Sequence, residues 1–447
     1  MYRLGITFIS TFILSMLPLI AQQPPETASI DSITYQQYLQ KDYQKLIETS
    51  KKARARQIGF YYLDYRTAIA YFELKNYANA ARYYRKTLEQ NPGDPVLLES
   101  LYYAYLLSGQ KTNANIVARS LPPHVQATIG YSPQVVDYIS ISGGYSYSGN
   151  TPELGSKLTG LDSLNLYRNM AFASLGIGIN LSGRSKLLLG YQRYNNAFER
   201  HNASGLLYSN ILSQHQLNLV FEFFTGESLS CGLAGGYYSI DGKDKPTKSS
   251  AYAENNGTGV GRGFIKRHNL FSLSSSETDR ASAFSALAFI NKRWTYLMPE
   301  IAVAWSNFGG WEQYQAKGSL TYYPLGNLNF YGTTSMAAIF NSDSWVNNQF
   351  IVSQHLGCKL ARQLWLEGSA GIGNHLNYIS NHSFMVYDTY DAVKALAGLT
   401  LSWYITKAVA TAGYQWQQRE GYASSITRYL PYKYNNHLIN ISFSWNF

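Results

Sequence analysis

The chain ends on a strict alternation of apolar and mostly polar positions. One row of this terminal stretch holds only large apolar residues, namely Ile439, Ile441, Phe443, Trp445 and Phe447. A period of two predicts a β-strand with one apolar face. Because the last residues of a soluble domain are usually polar and expendable, this pattern predicts a strand that is needed up to its final residue.

The same alternation recurs along most of the chain, from about Val135 onward, in segments separated by polar or Gly-rich breaks. This pattern is typical of an antiparallel transmembrane β-barrel. Lipid offers no hydrogen-bond partners, so the strands must close into a ring. The breaks predict fourteen strands, at about 135–149, 168–182, 186–197, 211–225, 228–241, 280–291, 294–307, 313–323, 328–341, 349–361, 364–378, 391–404, 408–419 and 434–447.

The breaks between the predicted strands are alternately short and long. Long breaks fall at about 150–167, 198–210, 242–279, 379–390 and 420–433, with shorter ones at 308–312 and 342–348. Outer-membrane barrels have short periplasmic turns and longer outer loops, so both ends of the barrel are predicted to be periplasmic. Twelve or sixteen strands remain open, because the stretch 242–290 is hard to divide.

The N-terminal residues predict secretion. Arg3 precedes an apolar run from Leu4 to Ile20, and Ala21 is followed by a polar stretch. This is typical of a signal peptide, residues 1–21, cleaved near Ala21. A membrane anchor is the weaker interpretation, because the run is short and Pro18 interrupts it. We expect a linker at 22–33, a periplasmic helical domain at 34–124 and the barrel at 134–447.

Residues 34–120 lack turn clusters and repeat with a period of 34. Asp42-Tyr43 and Asn76-Tyr77 are one period apart, and each opens a similar helix. With Asp64 and Thr67 standing where the family has Trp and Leu, the stretch resembles the tetratricopeptide repeat. The residues that carry the resemblance, predicted to pack paired helices, are Ala68, Tyr71, Ala80, Tyr84, Pro92, Tyr105 and Ala114. A generic stack of helical hairpins is the alternative, and either one implies a concave surface that suits a protein partner.

Composition supports a membrane barrel. The chain has 447 residues with 39 Tyr, and only 14% of its residues are charged, against about 25% in an average soluble domain. Aromatic rings prefer the two membrane interfaces, and Trp294, Tyr296, Tyr323, Trp403 and Tyr404 flank predicted short turns. The net charge of +10 suits anionic lipid, lipopolysaccharide or an acidic polymer, whereas secretion argues against nucleic acid.

Alternate positions of the predicted strands place a set of charged residues in the lumen. These lumen candidates are Arg193, Glu222, Glu300, Lys317, His355, Lys359, Glu367 and Lys394. Lys359 and Glu367 are equally far from Gln363, so they are predicted to pair across a hairpin. The charges would either line a selective conduit or merely satisfy one another in a filled barrel.

Motifs for enzyme chemistry are not found. The glycine-rich stretch from Gly257 to Gly263 lacks the Lys-Ser/Thr of a phosphate-binding loop. The eight His residues have no metal-ligand spacing, so we expect no metal and no cofactor. Cys231 and Cys358 lie in separate predicted strands, which argues against a disulfide framework. A catalytic set whose residues come together only in the folded protein, such as His355 with Glu367, remains an alternative.

Two further resemblances bear on function. The terminal row of Phe443, Trp445 and Phe447 resembles the C-terminal signal that the barrel-assembly machinery recognises in outer-membrane proteins. Helical repeats followed by a barrel resemble polysaccharide-export barrels, such as the outer-membrane partners of cellulose and poly-N-acetylglucosamine synthases, and YaiO-type barrels. This repeat region is shorter, and the exporters have sixteen strands, so no functional residue is transferred.

Three functions follow from these patterns. The first is an outer-membrane conduit for a glycan or small solute, with a periplasmic protein docked on the repeats. The second is a non-conducting barrel that anchors a helical scaffold in an envelope complex. The third, least favoured, is an outer-membrane hydrolase or acyltransferase. A fourteen-stranded barrel lies in size between filled barrels and open channels, so the outer loops decide whether its bore is open. Loop 242–279 is long enough to fold inward and reach Glu222 or Glu300.

Overall fold

The chain folds into helices followed by a closed antiparallel barrel. The computed structural model describes residues 25–150, 164–202, 205–226, 228–246, 280–308, 312–342, 348–387, 391–424 and 429–447. Its two compact units divide between Ala104 and Tyr105. The predicted signal peptide lies outside the described residues.

Seven helices precede the barrel in the described part of the chain. They are α1 (Pro25–Leu39), α2 (Tyr43–Ala55), α3 (Tyr61–Glu73), α4 (Tyr77–Gln90), α5 (Pro95–Leu107), α6 (Lys111–Arg119) and α7 (Pro123–Thr128). Because α1 begins at Pro25, the predicted linker 22–33 is wrong over most of its length. Over the described residues, no helix combines the length and apolarity needed to cross a bilayer.

The 34-residue period corresponds to a repeated turn. Asp42 and Asn76 cap α2 and α4, and each side chain accepts a hydrogen bond from the backbone N–H three residues on, at 3.4 and 3.2 Å. Each of the N-cap residues Asp42, Asn76 and Gln110 follows a residue with positive φ. These preceding residues are Lys41, Lys75 and Gly109, with φ of 57°, 61° and 81°. A left-handed residue followed by a cap is a standard way to end one helix and start the next.

Small and aromatic side chains fill the contacts between these helices. Six of the seven predicted packing residues are buried, namely Ala68, Tyr71, Ala80, Tyr84, Tyr105 and Ala114. The prediction that Pro92 packs within the helix pair is wrong, because α4 ends at Gln90 and Pro92 is exposed in the turn that follows.

Buried polar pairs occupy the positions where the tetratricopeptide family has large apolar residues. The Asp64 carboxylate accepts a hydrogen bond from Arg54 and lies 3.8 Å from Lys86 Nζ. Thr67 Oγ1 donates to Ser50 Oγ at 2.8 Å. Buried polar groups need such partners, and both Asp64 and Thr67 have them nearby.

Fourteen strands form the barrel, as predicted. They are β1 (Val136–Ser148), β2 (Leu164–Asn180), β3 (Ser185–Asn202), β4 (Gly205–Phe224), β5 (Leu229–Pro246), β6 (Arg280–Lys292), β7 (Leu297–Ser306), β8 (Gln313–Tyr322), β9 (Phe330–Asn341), β10 (Gln349–Ala361), β11 (Leu364–Gly373), β14 (Ala392–Ile405), β15 (Ala408–Ser424) and β16 (Tyr429–Asn446). Each pairs with its neighbours in chain order, and β1 and β16 close the ring. Two short strands, β12 (Ile379–Ser380) and β13 (Met385–Val386), pair only with each other.

The last strand closes the barrel. Phe443 and Trp445 stand opposite Ile141 and Ile139 of β1, and the Phe447 N–H donates to the Asp137 carbonyl at 3.1 Å. The outward row of β16 is apolar and exposed, which suits contact with lipid. The alternation at the C-terminus therefore belongs to a strand without which the ring is open.

Two predicted long loops are instead long hairpins. β3 and β4 stay paired to Asn202 and Gly205, and β15 and β16 to Ser424 and Tyr429, so the predicted loops 198–210 and 420–433 are wrong. These strands have 17 to 20 residues, whereas about 9–11 span a bilayer. Beyond the lipid the outward row need not be apolar, so the alternation in hydropathy fades while the pairing continues.

Helix α6 contacts the end of the barrel that has the short turns. Lys111 Nζ lies 2.8 Å from Asp137 Oδ1, and Lys186 of β3 lies 3.4 Å from the other carboxylate oxygen. In the turn after β6, Arg293 donates to the Ser108 carbonyl at 3.1 Å. The segment that joins the helices to β1 is thus fixed to the rim at several points.

The chain leaves the barrel wall at Gly373, five residues earlier than predicted. Gly373 has φ of 124°, and a Cβ atom there would lie 2.1 Å from the carbonyl oxygen of Phe350. Only glycine fits this combination of backbone angle and close approach. The residues after Gly373 turn into the bore instead of extending β11.

We predict that Gly373→Ala destabilises the barrel by about 1–3 kcal/mol, because the new methyl group strains the backbone where the chain leaves the wall. Denaturant unfolding of the full chain in lipid vesicles, followed by tryptophan fluorescence, measures the effect. Gly318→Ala is the matched control, since nothing lies within 4 Å of its Cβ position. Equal stability of the two variants would contradict the assignment.

Candidate functional site

Residues 374–387, here called the inserted loop, fold inside the barrel. The loop connects β11 to β14 and contains β12, a 3₁₀ turn (Asn381–Ser383) and β13. The prediction of an outer loop at 379–390 is wrong for its described part, because side chains from strands on the far side of the ring contact this segment. The inserted loop is the feature that divides the bore.

Amide side chains of the wall bind the backbone of the inserted loop. Gln315 of β8 donates to the Ile379 carbonyl at 2.8 Å and accepts from the Ile379 N–H at 3.0 Å. Gln192 of β3 donates to the Phe384 carbonyl at 2.7 Å. Irregular backbone at membrane depth needs such partners, so these glutamines are matched to the loop.

The tip of the loop is held by a ring and an ion cluster. His382 stacks on Phe289 with ring centroids 4.0 Å apart, and its Nε2 lies 3.2 Å from Glu300 Oε2. Lys317 Nζ lies 3.5 Å from the other oxygen of Glu300. We call His382, Glu300 and Lys317 the tip cluster. The backbone of His382 is left-handed, with φ of 50°, a costly conformation that its surroundings must hold.

The inserted loop reaches deep into the barrel. Gln315, near the loop end of β8, binds Ile379 at the entrance. Glu300 and Phe289 lie towards the short-turn ends of β7 and β6, and both contact His382. The loop therefore descends through most of the bore before it returns to β14.

Six of the eight predicted lumen residues lie on inward rows. They are Glu222, Glu300, Lys317, His355, Lys359 and Glu367. Among these six, only Glu300 and Lys317 share an ion pair in the described structure. Glu222 accepts a hydrogen bond from Ser230 Oγ at 3.0 Å. Loop 242–279, expected to reach Glu222 or Glu300, lies almost entirely outside the described residues.

Arg193 and Lys394 do not face the lumen, so these two predictions are wrong. Arg193 is exposed on the outward row of β3, beside the buried inward Gln192. Lys394 sits at a bulge in β14 and lies 3.4 Å from Glu420, on the outer face. A bulge or a misplaced strand start shifts the alternation by one residue, which moves a side chain to the other face.

The predicted Lys359–Glu367 pair is also wrong. Lys359 stands opposite Trp365, with its Nζ 4.6 Å from the ring centroid. Glu367 stands opposite Gly357 and accepts a hydrogen bond from the Tyr331 hydroxyl. A register shift between Lys359 and Ala361 moves the pairing off the symmetric centre assumed from the sequence.

Beside the inserted loop lies a cavity of about 690 Å³. It follows the wall formed by β14 to β16 and β1 to β4, with single residues from β11 and β5, and runs from Tyr138 near the short-turn end to Arg419 towards the loop end. Its walls are mainly amides, hydroxyls and aromatic rings, and Arg419 is the one Lys, Arg, Asp or Glu among the described lining residues. Such a volume lies within the range of about 300–1,000 Å³ found for ligand sites.

Several residues of the cavity and the inserted loop were not predicted from the sequence. Arg419 was placed at the end of a predicted strand, although Gln415, Gln417 and Arg419 continue its polar row. Gln192 and His382 carry no motif, and their roles depend on a loop that contacts strands distant in sequence. The described residues hold no group of three potential metal ligands among His, Cys, Asp and Glu.

Comparisons with known proteins give only distant likenesses. No protein-family model matches the chain, and the search of curated proteins gives no significant match. The Pseudomonas putida toluene transporter TodX is similar at 9% identity and a TM-score of 0.44, over 72% of this chain and 92% of that one. A Pseudomonas aeruginosa FadL homologue is similar at 8% identity and a TM-score of 0.44, over 70% of this chain and 90% of that one. A bacterial polysaccharide outer-membrane secretin is similar at 10% identity and a TM-score of 0.38, over 71% of this chain and 100% of that one. With TM-scores this low, none of these likenesses bears on the function of this barrel.

We predict that Glu300→Ala loosens the tip of the inserted loop, because Lys317 and His382 both lose their carboxylate partner. A Cys introduced at the buried Ser383, in a background lacking Cys231 and Cys358, should then react severalfold faster with a maleimide. A Cys at the exposed Asn381 is the control and should react at the same rate in both backgrounds. An unchanged rate at position 383 would show that the tip cluster does not hold the loop.

Proposed function

We propose that this protein is an outer-membrane conduit for a polar, hydrogen-bonding solute such as a glycan, with the inserted loop as its gate. The observation that carries the proposal is the cavity that runs beside the loop along one wall of the barrel. A barrel that served only as an anchor would not require a lined space of this kind.

The lining suits a solute with many hydroxyl groups. Gln192, Gln214 and Gln216 present amides, while Ser140 and Ser142 present hydroxyls. Selectivity in pores follows from the hydrogen-bond donors and acceptors that line them and from their charge. A sugar uses both kinds of contact, because its hydroxyls bind amides and its C–H faces pack on aromatic rings.

The alternative is a non-conducting barrel that anchors a periplasmic scaffold. The observation that favours it is the binding of the inserted loop to β3, β6, β7 and β8. Such a network would hold the loop closed at all times. The two functions differ in whether removal of the loop opens a path.

We predict that replacing residues 376–387 by a short Gly-Ser linker raises ion conductance and sugar uptake severalfold in planar bilayers and liposomes. The wall strands remain paired through their own ladders, while the bore loses the segment that divides it. Arg193→Gln is the control, because Arg193 lies on the outward row of β3, and it should conduct like the unmodified chain. No conductance with or without the loop would favour the anchor and contradict the conduit.

We further propose that the short turns and the helices face the periplasm, where residues 25–104 bind a protein partner. Support comes from the turn lengths and from the attachment of α6 to the short-turn rim. A stacked helical repeat offers an extended surface of the kind that binds peptides and helices. The exposed apolar row that ends at Phe447 supports recognition by the barrel-assembly machinery.

We predict that an epitope inserted after Asn202 binds antibody on intact cells, because the long β3–β4 hairpin should project from the outer surface. An epitope at Gly226, in a short turn with open space around it, should bind only after the outer membrane is permeabilised. The reverse pattern would invert the orientation. Gel mobility before and after heating confirms that both insertions fold.

A further inference from the structure

The cavity beside the inserted loop contains a buried cation without a carboxylate partner among the described residues. Arg419 is 5% exposed, and its Nε and Nη2 donate to the neutral Gln417 Oε1 at 3.0 and 2.8 Å. The guanidinium carbon lies 4.7 Å from the ring centroid of Tyr167. No described Asp or Glu lies within 4.0 Å of it. Burial of a charge is costly unless it is paired, so Arg419 is held ready for an anion.

A buried carboxylate of this region, that of Asp391, is already engaged. Asp391 accepts hydrogen bonds from the Tyr434 and Tyr432 hydroxyls at 2.8 and 3.3 Å. Both tyrosines are buried, and their hydroxyls hold the Asp391 carboxylate in place. The Asp391 carboxylate is therefore bonded to tyrosines, and Arg419 lies on the cavity wall.

A second unpaired group points to a ligand with hydroxyl donors. Gln216 of β4 is 2% exposed and lines the same cavity, and its Oε1 accepts no hydrogen bond from a described residue. A buried acceptor without a donor costs about 1–3 kcal/mol. Aromatic pairs complete the wall, with Phe172 stacked on Tyr194 at 5.6 Å and Tyr167 edge-on to Phe198 at 5.8 Å.

We propose that the cavity is a binding site for an acidic saccharide, a sugar unit that carries a carboxylate. The carboxylate would pair with Arg419, a hydroxyl would donate to Gln216, and the ring would pack on the aromatic wall. One planar guanidinium matches one carboxylate in charge and shape, whereas a phosphate carries a charge nearer −2. The proposal names the substrate class of the conduit and in that sense rests on it.

The test is calorimetric binding to the refolded full chain in detergent micelles, which needs no conduction. The probes are digalacturonate and the neutral disaccharide maltose. We expect digalacturonate to bind roughly tenfold more tightly, since a hydrogen bond to a charged group adds about that factor. Arg419→Gln should remove the difference and keep the maltose affinity, while the outward Arg193→Gln should change neither.

Further variants keep the test decisive if Arg419→Gln does not fold. Gln216→Leu should weaken both disaccharides equally and keep the preference for the acid, and Arg419→Lys should keep part of it. Equal affinities of the unmodified chain for the two probes, no binding of either, or displacement of digalacturonate by equimolar inorganic phosphate would each overturn the proposal. Conductance after loop removal without a preference for the acid would leave the conduit standing without this site. A preference without conductance would establish the site and remove the conduit.

Discussion

The whole structure depends on one constraint, which is that every backbone polar group inside a membrane needs a partner from the protein itself. Fourteen strands meet it by closing a ring, and the pairing of β16 with β1 is the step that removes the last open edges. The inserted loop faces the same constraint inside the ring. Its short strands pair with each other, and Gln315 and Gln192 take up backbone groups that would otherwise lack partners.

Ring size makes the inserted loop possible. Eight strands leave an interior just filled by side chains, and sixteen to eighteen leave an aqueous channel. A ring of fourteen is too wide for side chains alone, yet one loop of ordinary length can cross it. Gly373 turns the chain inward, and the tip cluster at His382 holds the far end of the loop. The loop and the barrel are therefore matched in size.

The sequence predicts what depends on periodicity and misses what depends on three-dimensional contacts. Strand number, ring closure and the outward row ending at Phe447 follow from alternation, because lipid imposes a simple rule on one face. The predicted pairing of Lys359 with Glu367 is wrong because of a single register shift, and the predicted inward position of Lys394 is wrong because of a bulge. The inserted loop could not be predicted, because a polar loop outside the barrel and one inside it have the same composition. Its partners are also spread over strands distant in sequence.

The chemistry of the cavity follows from how the loop divides the charges of the bore. On the side of β6 to β8, Glu300 and Lys317 are engaged with each other and with His382, so they contribute little net charge to the remaining space. On the opposite side the described cavity lining consists mainly of neutral amides, hydroxyls and rings, and Arg419 is its one Lys, Arg, Asp or Glu. A single cation in a largely neutral lining acts more strongly on a bound anion than one in a ring of mixed charges, because fewer opposite charges screen it. The same loop that restricts the bore thus separates the tip cluster from the cavity that Arg419 lines.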